Sequence, residues 1–235
     1  MIQAIETKPG AATSEPNPGV HRDKRPLQPL PIRIAHWLNI PLLVLMAGSG
    51  LQILTAYPSL GPQGAQYRWY PLQGTPPPPW LRIGGWLGGA RHWHFAIAWF
   101  FVLNGLIYLT YFLASGEWRR RLFQPRRDTW NAIHQFAYYT RIRSSAPPAD
   151  FYNGLQRLAY TSVILFGFIM VLSGLAIYKP VQLHWLTLLF GGYDGARVVH
   201  LGVLCLFALF IASHLVLVAI HPREILNMIT GGSRE

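Results

Sequence analysis

Four long apolar runs, set apart by polar or Pro/Gly-rich stretches, divide the 235-residue chain. They cover residues 34–56, 93–115, 155–178 and 198–221, and at about 20 residues or more each can cross the hydrocarbon core of a bilayer as a helix. Helix is the expected conformation, because in lipid every main-chain polar group must find its partner within its own segment. The pattern therefore predicts an all-α fold, an integral membrane four-helix bundle over residues 31–222. Residues 1–30 carry turn formers and few apolar side chains, and are expected to be a mobile tail. No secretory signal peptide is visible in them. Residues 57–92 and 179–197 become the loops of one face, the first rich in Pro, Gly and Trp, the second with a short helix expected near 181–190. On the opposite face, residues 116–154 interleave arginines with Trp130, Ile133, Phe136, Tyr138 and Tyr139. That is the pattern of a basic amphipathic helix lying on a membrane surface, with an irregular solvated loop as the alternative. Residues 223–235 are expected to be a second tail, and Pro41 to kink the first span.

Composition supports the membrane assignment. With 51% hydrophobic and 12% charged residues and a mean hydropathy of +0.23, the chain is too apolar for an ordinary soluble domain. The net charge of +11 does not indicate a nucleic-acid partner, since lipid-length spans interrupt any phosphate-binding stripe. It does set orientation. Five Lys and Arg precede or open the first span, eight lie in 116–157 and two follow the last span, against three and two in the other loops. The excess of positive charge marks the cytoplasmic side, so both termini are expected in the cytoplasm. The single cysteine, Cys205, rules out an intramolecular disulfide and is expected to be a small packing residue.

The chemistry lies in the histidines. Ionisable groups inside a span are costly and mark functional sites, and the last span carries two, His200 and His214. Fourteen helical residues advance about 21 Å and return to within about 40° of the same face. One helix thus offers a ligand at each of two depths. His36 on the first span lies at the depth of His214, and His94 or its neighbour His92 on the second at the depth of His200. Two stacked imidazole pairs are what two bis-His b-type haems in a four-helix bundle require. Zinc is disfavoured, as it wants four ligands and no Cys, Asp or Glu lies at these depths.

Arginine recurs beside these ligands. Arg33-x-x-His36, Arg91-x-x-His94 and Arg197-x-x-His200 each set a cation one helical turn outward, where haem propionates would emerge. The recurrence favours His94 over His92. Gly50, fourteen residues after His36, offers room for a flat macrocycle at the depth of His94 and His200, and Gly48, Gly105, Gly167 and Gly174 could serve the same end. His21, His134 and His184 are expected at the surface. His221, at the cytoplasmic edge, could carry protons beside a quinone.

With these residues in view, the chain resembles the four-helix di-haem b-type cytochromes of the bacterial cytochrome b-561 superfamily, such as the membrane subunits of formate dehydrogenase, nickel-iron hydrogenase and thiosulfate reductase. The resemblance covers residues 31–232. It lies in Arg33-Ile-Ala-His36-Trp37, Arg91-His-Trp-His94-Phe95, Tyr152-Asn153-Gly-Leu-Gln156-Arg157, and Arg197-Val-Val-His200 with His214. It implies one haem held by spans 1 and 4 and one by spans 2 and 4. It also implies a quinone site, with Asn153 and Gln156 as contacts, although Leu155 stands where formate dehydrogenase subunits have glycine and Asn153 could instead cap its helix. The segment His221-Pro222-Arg223-Glu224 with Met228-Ile-Thr-Gly231 is similar to cytochromes that accompany molybdopterin oxidoreductases of the sulfite-oxidase type.

The expected function is therefore electron transfer across a bacterial inner membrane, between quinone and a partner oxidoreductase subunit on the outer side. A molybdopterin enzyme is the favoured partner and a hydrogenase the other. The 57–91 loop, with Trp80 and Trp86, is the expected docking surface. A self-contained quinone-linked cytochrome oxidising superoxide is the alternative. A haem-free transporter is remote, since no discontinuous helix or inverted repeat is evident.

Overall fold

The structure is a computed structural model that describes residues 27–148 and 152–232. Among the described residues it is all helix, without strands: α1 (Leu30–Leu54), α2 (Leu87–Ala114), α3 (Trp118–Arg121), α4 (Pro125–Tyr139), α5 (Gly154–Tyr178), α6 (His184–Leu189), α7 (Gly192–Ile220) and α8 (Arg223–Thr230). Helices α1, α2, α5 and α7 are long and apolar enough to cross a membrane.

Three of these helices start earlier than the hydropathy pattern indicates. Helix α1 begins at Leu30, α2 at Leu87 and α7 at Gly192, four to six residues ahead of the apolar runs. Local chemistry sets the starts. Proline at the first turn suits α1, where a missing N–H costs nothing. Gly191, at φ 79°, turns the chain into α7 in the left-handed region that glycine enters freely. Gly84 precedes α2 at φ 107° with the Ala90 backbone so close that a Cβ would lie 2.6 Å from its Cα. The extra turns place Arg91 and Arg197 inside their helices. Pro41 lies within α1 without ending it.

Close main-chain packing pairs α1 with α2 and α5 with α7, and the two hairpins approach each other sparsely. Within the first hairpin the buried amide of Asn104 on α2 donates to the carbonyl of Ala35 (3.0 Å) and to Asn39 Oδ1 (3.0 Å) on α1. One cluster of buried apolar residues lies at the loop end, where Leu186 of α6 meets Ala176 and Ala196. The expected short helix in the second loop is thus α6. The first loop is folded rather than irregular: the Gln73 amide spans Leu60 and Tyr67, and Ile83 N–H reaches back to the carbonyl of Gly48 (3.0 Å).

At the opposite end most of the expected first tail, residues 1–26, lies outside the described residues. Residues 27–29 are tied down, with Gln28 N–H donating to the carbonyl of Gly231 (2.9 Å). Within the expected second tail Arg223–Thr230 form α8, an amphipathic helix closed by Gly231 at φ 101°. Both described chain ends therefore sit together. Within the 116–154 segment Pro125–Tyr139 form helix α4, with Trp130, Ile133 and Phe136 exposed and Asp128, Ala132 and Gln135 turned inward. Cys205 is exposed on the surface of α7, not packed inside. His21 lies outside the described residues.

Candidate functional site

The four span histidines meet in two pairs. His36 of α1 faces His214 of α7, with ring centroids 6.1 Å apart and planes at 64°. His94 of α2 faces His200 of α7, with centroids 6.4 Å apart and planes at 66°. His92 joins neither pair: its Nδ1 is bonded to the Gly88 carbonyl (2.8 Å), and it lines a shallow hollow with Gly89, Trp93 and Ala96. Helix α7 thus serves both pairs, one near the chain ends and one near the loops.

The pair geometry suits a shared iron. A metal–imidazole bond of about 2 Å puts the ring centroid about 3 Å from the metal, so two axial imidazoles sit about 6 Å apart. No group of three or more His, Cys, Asp or Glu able to hold a metal occurs among the described residues. A pair of histidines alone leaves most of an ion's coordination open, whereas a haem iron brings four equatorial nitrogens with it.

Hydrogen bonds fix the protonation of the loop-side pair. Ser49 Oγ donates to the carbonyl of Leu45 (2.6 Å) and Ser173 Oγ to that of Ile169 (2.6 Å). With its one proton committed, each hydroxyl accepts from a histidine, Ser49 from His94 Nδ1–H (3.0 Å) and Ser173 from His200 Nδ1–H (2.9 Å). A histidine protonated on Nδ1 keeps its Nε2 lone pair for a metal. On the chain-end side the outcome differs, as His36 Nδ1 is buried without a partner.

Glycines line the gap. A Cβ on Gly50 would lie 3.2 Å from His94 Cε1, and one on Gly174 would lie 3.2 Å from His200 Cε1. Gly50, expected to make room for a macrocycle, thus meets the ligand ring itself. Gly105 and Gly167 have open space around their Cβ positions. Eleven residues from His94 and seven from Gly174 return each to within about 20° of the site-facing side. Gly48 faces Ile83 instead.

A sequence model of the prokaryotic cytochrome b561 family matches residues 27–231. The chain belongs to that family. It is thus a membrane haem protein, a multi-pass protein of a bacterial membrane, as the four apolar spans indicate. A relative from Azospira oryzae, named "Putative protein-methionine-sulfoxide reductase subunit YedZ1", is 34% identical over 200 residues, covering 85% of this chain and 93% of the relative. No solved structure matches.

In this cytochrome b561 the arginines near the ligands are already engaged. Arg33 Nε donates to the carbonyl of Met228 (3.2 Å), a carbonyl that also accepts from Trp37 Nε1 (3.2 Å). Arg197 donates to the carbonyls of Tyr57 (3.1 Å) and Ser59 (2.8 Å), pairs with Asp194 (3.4 Å) and stacks over the Tyr57 ring. Arg91 lies over Phe95, its guanidinium carbon 5.8 Å from the ring centre. Asn153 and Gln156 form a reciprocal capping box at the start of α5, Asn153 Oδ1 accepting from Gln156 N–H (2.8 Å) and Gln156 Oε1 from Asn153 N–H (3.1 Å). Helix capping is therefore one role of both residues. His221 Nδ1 is bonded to the Leu217 carbonyl at the end of α7 (3.1 Å), and His134 lies beside Trp130.

The chain-end side also carries a buried ionic cluster. Glu117 and Arg121, both almost fully buried, pair at 2.9 Å. Arg121 further reaches the Leu27 carbonyl and Gln28 and lies over the rings of Tyr152 and Tyr160. Burial opposes the charge on Arg121, but Tyr152 and the Glu117 hydrogen bond outweigh it and hold the guanidinium pKa above its ordinary value. Burial raises the Tyr152 phenol, against the pull of Arg121, so that side chain stays neutral at physiological pH. Arg157 is buried, its Nη1 ion-paired with Asp128 at 3.9 Å, and neither its Nε nor its Nη1 makes a hydrogen bond.

Sequence reasoning passed over Ser49 and Ser173. A signal was present, since Met46 to Leu51 and Met170 to Leu175 share the pattern Met-x-x-Ser-Gly-Leu.

Proposed function

We propose that this chain is the di-haem electron-transfer subunit of an oxidoreductase complex, with His36 and His214 holding one haem b and His94 and His200 the other. The observation that carries this is the pair of ring separations, 6.1 and 6.4 Å, each suited to one iron between two imidazoles. Haem iron supplies one-electron carriage by cycling between ferric and ferrous states. The protein's part is to hold the ligands on rigid helices at two depths about 21 Å apart, and to keep the site between the hairpins dry. Arg33, Arg91 and Arg197 place positive charge one turn from the ligands, where it would offset propionate carboxylates. Arg33 and Arg197 would do so while still clamping α8 and the first loop.

Charge asymmetry supports a cytoplasmic chain-end side, which makes the 1–30, 116–154 and 223–235 segments cytoplasmic and the 57–92 and 179–197 loops external. On this assignment quinone reacts at the chain-end side, near His214, with Asn153 and Gln156 offering their free amide donors. Exposed Trp69, Trp80 and Trp86 on the first loop form the docking face for an external partner subunit. The name of the Azospira relative favours a methionine-sulfoxide reductase over a hydrogenase as that partner. The resemblance at 221–231 supports a molybdopterin enzyme. Reduction of a sulfoxide to a thioether and water consumes two electrons and two protons, so the chain would deliver two single electrons per turnover.

The test is haem content and reduced-minus-oxidised spectra of the purified chain. Two low-spin b-type haems per polypeptide are expected, with His36→Ala or His214→Ala losing one and His94→Ala or His200→Ala the other. A protein that takes up no b-type haem, or whose His94→Ala variant keeps both, would overturn the assignment.

A further inference from the structure

The two histidine layers are not equivalent. In the loop-side layer both imidazoles donate their Nδ1–H to a serine, and both serines, Ser49 and Ser173, are 0% exposed. Each hydroxyl is locked by its own bond to the carbonyl four residues back, at 2.6 Å. It therefore presents a lone pair, not a proton, to the ring. In the chain-end layer His36 Nδ1 is buried without a partner, and His214 has no side-chain hydrogen bond among the described residues.

The arrangement is built twice from one piece of sequence. Met46-Ala-Gly-Ser49-Gly50-Leu51 on α1 backs His94, and Met170-Val-Leu-Ser173-Gly174-Leu175 on α5 backs His200. In each, the glycine brings its helix against Cε1 of the ring that the preceding serine binds, a Cβ being only 3.2 Å away. Serine holds the nitrogen, and glycine lets the Nδ1–Cε1 edge of the ring come close to the helix. Two helices from different hairpins thus grip their histidines alike.

We propose that Ser49 and Ser173 are positioning residues that fix the tautomer of His94 and His200 and lower the reduction potential of the loop-side haem. The proposal rests on the bis-His assignment above. An imidazole whose Nδ1–H is hydrogen-bonded is more basic at Nε2, and a more basic axial ligand stabilises the ferric state over the ferrous. Burial strengthens the effect, because no water competes for the Nδ1–H. Among the described residues the chain-end layer lacks such acceptors, so removing the serines moves one haem and not the other.

The test uses the full chain in detergent, with Ser49→Ala, Ser173→Ala and the double variant followed by redox titration of the haem bands. A parallel set in a His36→Ala background retains only the loop-side haem and identifies its component. The wild-type protein, titrating as two low-spin haems, checks the bis-His assignment independently. Expected is an upward shift of the loop-side component in each single variant, a larger shift in the double variant, and an unmoved chain-end component. Unmoved potentials with both haems bound, or equal shifts of both components, would refute the proposal. Should an alanine variant lose the loop-side haem, the matching Ser→Thr variant retains a hydroxyl. Recovery of haem and potential in that variant supports the role, and continued loss assigns the serines to packing alone and overturns it.

Discussion

Gly174 offers a sharp test of how tightly the helix backs its ligand. A Cβ at this position would lie 3.2 Å from His200 Cε1, at least 0.2 Å inside the 3.4 Å at which ordinary contact begins. His200 cannot simply retreat, because its Nδ1 is tethered at 2.9 Å to Ser173, which has no exposed surface. Ring displacement by a few tenths of an ångström already reaches the tolerance of about 0.2 Å expected of metal–ligand distances. Overpacking of this kind costs about 1–3 kcal/mol, which corresponds to roughly a five- to 150-fold loss in affinity for the haem at that site. Gly174→Ala is therefore expected to weaken retention of the loop-side haem, and Gly174→Val to abolish it, with the chain-end haem retained. Gly50→Ala should do the same through His94, whose Cε1 is also 3.2 Å away. Gly202→Ala is the control: it has open space on an exposed face of α7 and removes a helix-weakening glycine, a gain of up to about 1 kcal/mol. The assay is haem per polypeptide after extended dilution in detergent, with the two haems resolved by redox titration. Full retention with unshifted potentials in Gly174→Val, or equal loss in Gly202→Ala, would refute the reasoning.

Other consequences follow from the fold. Arg121→Ala strips Glu117 of a buried partner and is expected to destabilise the protein by about 3–5 kcal/mol, seen as a lowered unfolding midpoint in detergent, while Arg121→Met with Glu117→Leu recovers much of the loss. Arg197→Lys cannot bridge Tyr57, Ser59 and Asp194 together, so limited proteolysis should cut the first loop faster in that variant. Asn104→Ala leaves the Ala35 and Asn39 oxygens without this donor and should cost about 0.6 kcal/mol, and no more than about 1.7. His92→Ala, outside both ring pairs, should leave haem content and both potentials unchanged.

Much was legible from the chain. Lipid leaves the backbone little choice but helix, so four apolar runs fixed four spans, and the 14-residue interval from His200 to His214 fixed two depths. The arginine interval favoured His94 over His92, and in the fold it is the His94 ring that faces His200. Helix starts were less legible, because α2 and α7 begin at glycine turns upstream of their apolar residues. Helix α8 was missed since eight residues of mixed polarity carry no span-length signal; its place depends on the Met228 and Gly231 carbonyls meeting Arg33, Trp37 and Gln28. The arginines show the same limit. Sequence set them one turn from the ligands, but that Arg197 clamps residues 57 and 59 depends on a contact 140 positions away.

What sequence determined, then, is the periodic part: how many helices, how long, and at what height each histidine stands, all of which follow from a fixed rise and rotation per residue. What only tertiary structure decided is which side chain stands behind each ligand. Ser49 and Ser173 look like ordinary small residues of apolar helices until α1 is packed on α2 and α5 on α7, because a hydrogen bond between helices is set by their relative rotation and not by any local interval. The resulting difference, serine behind the loop-side histidines and no acceptor at His36 Nδ1, is a property of the assembled bundle.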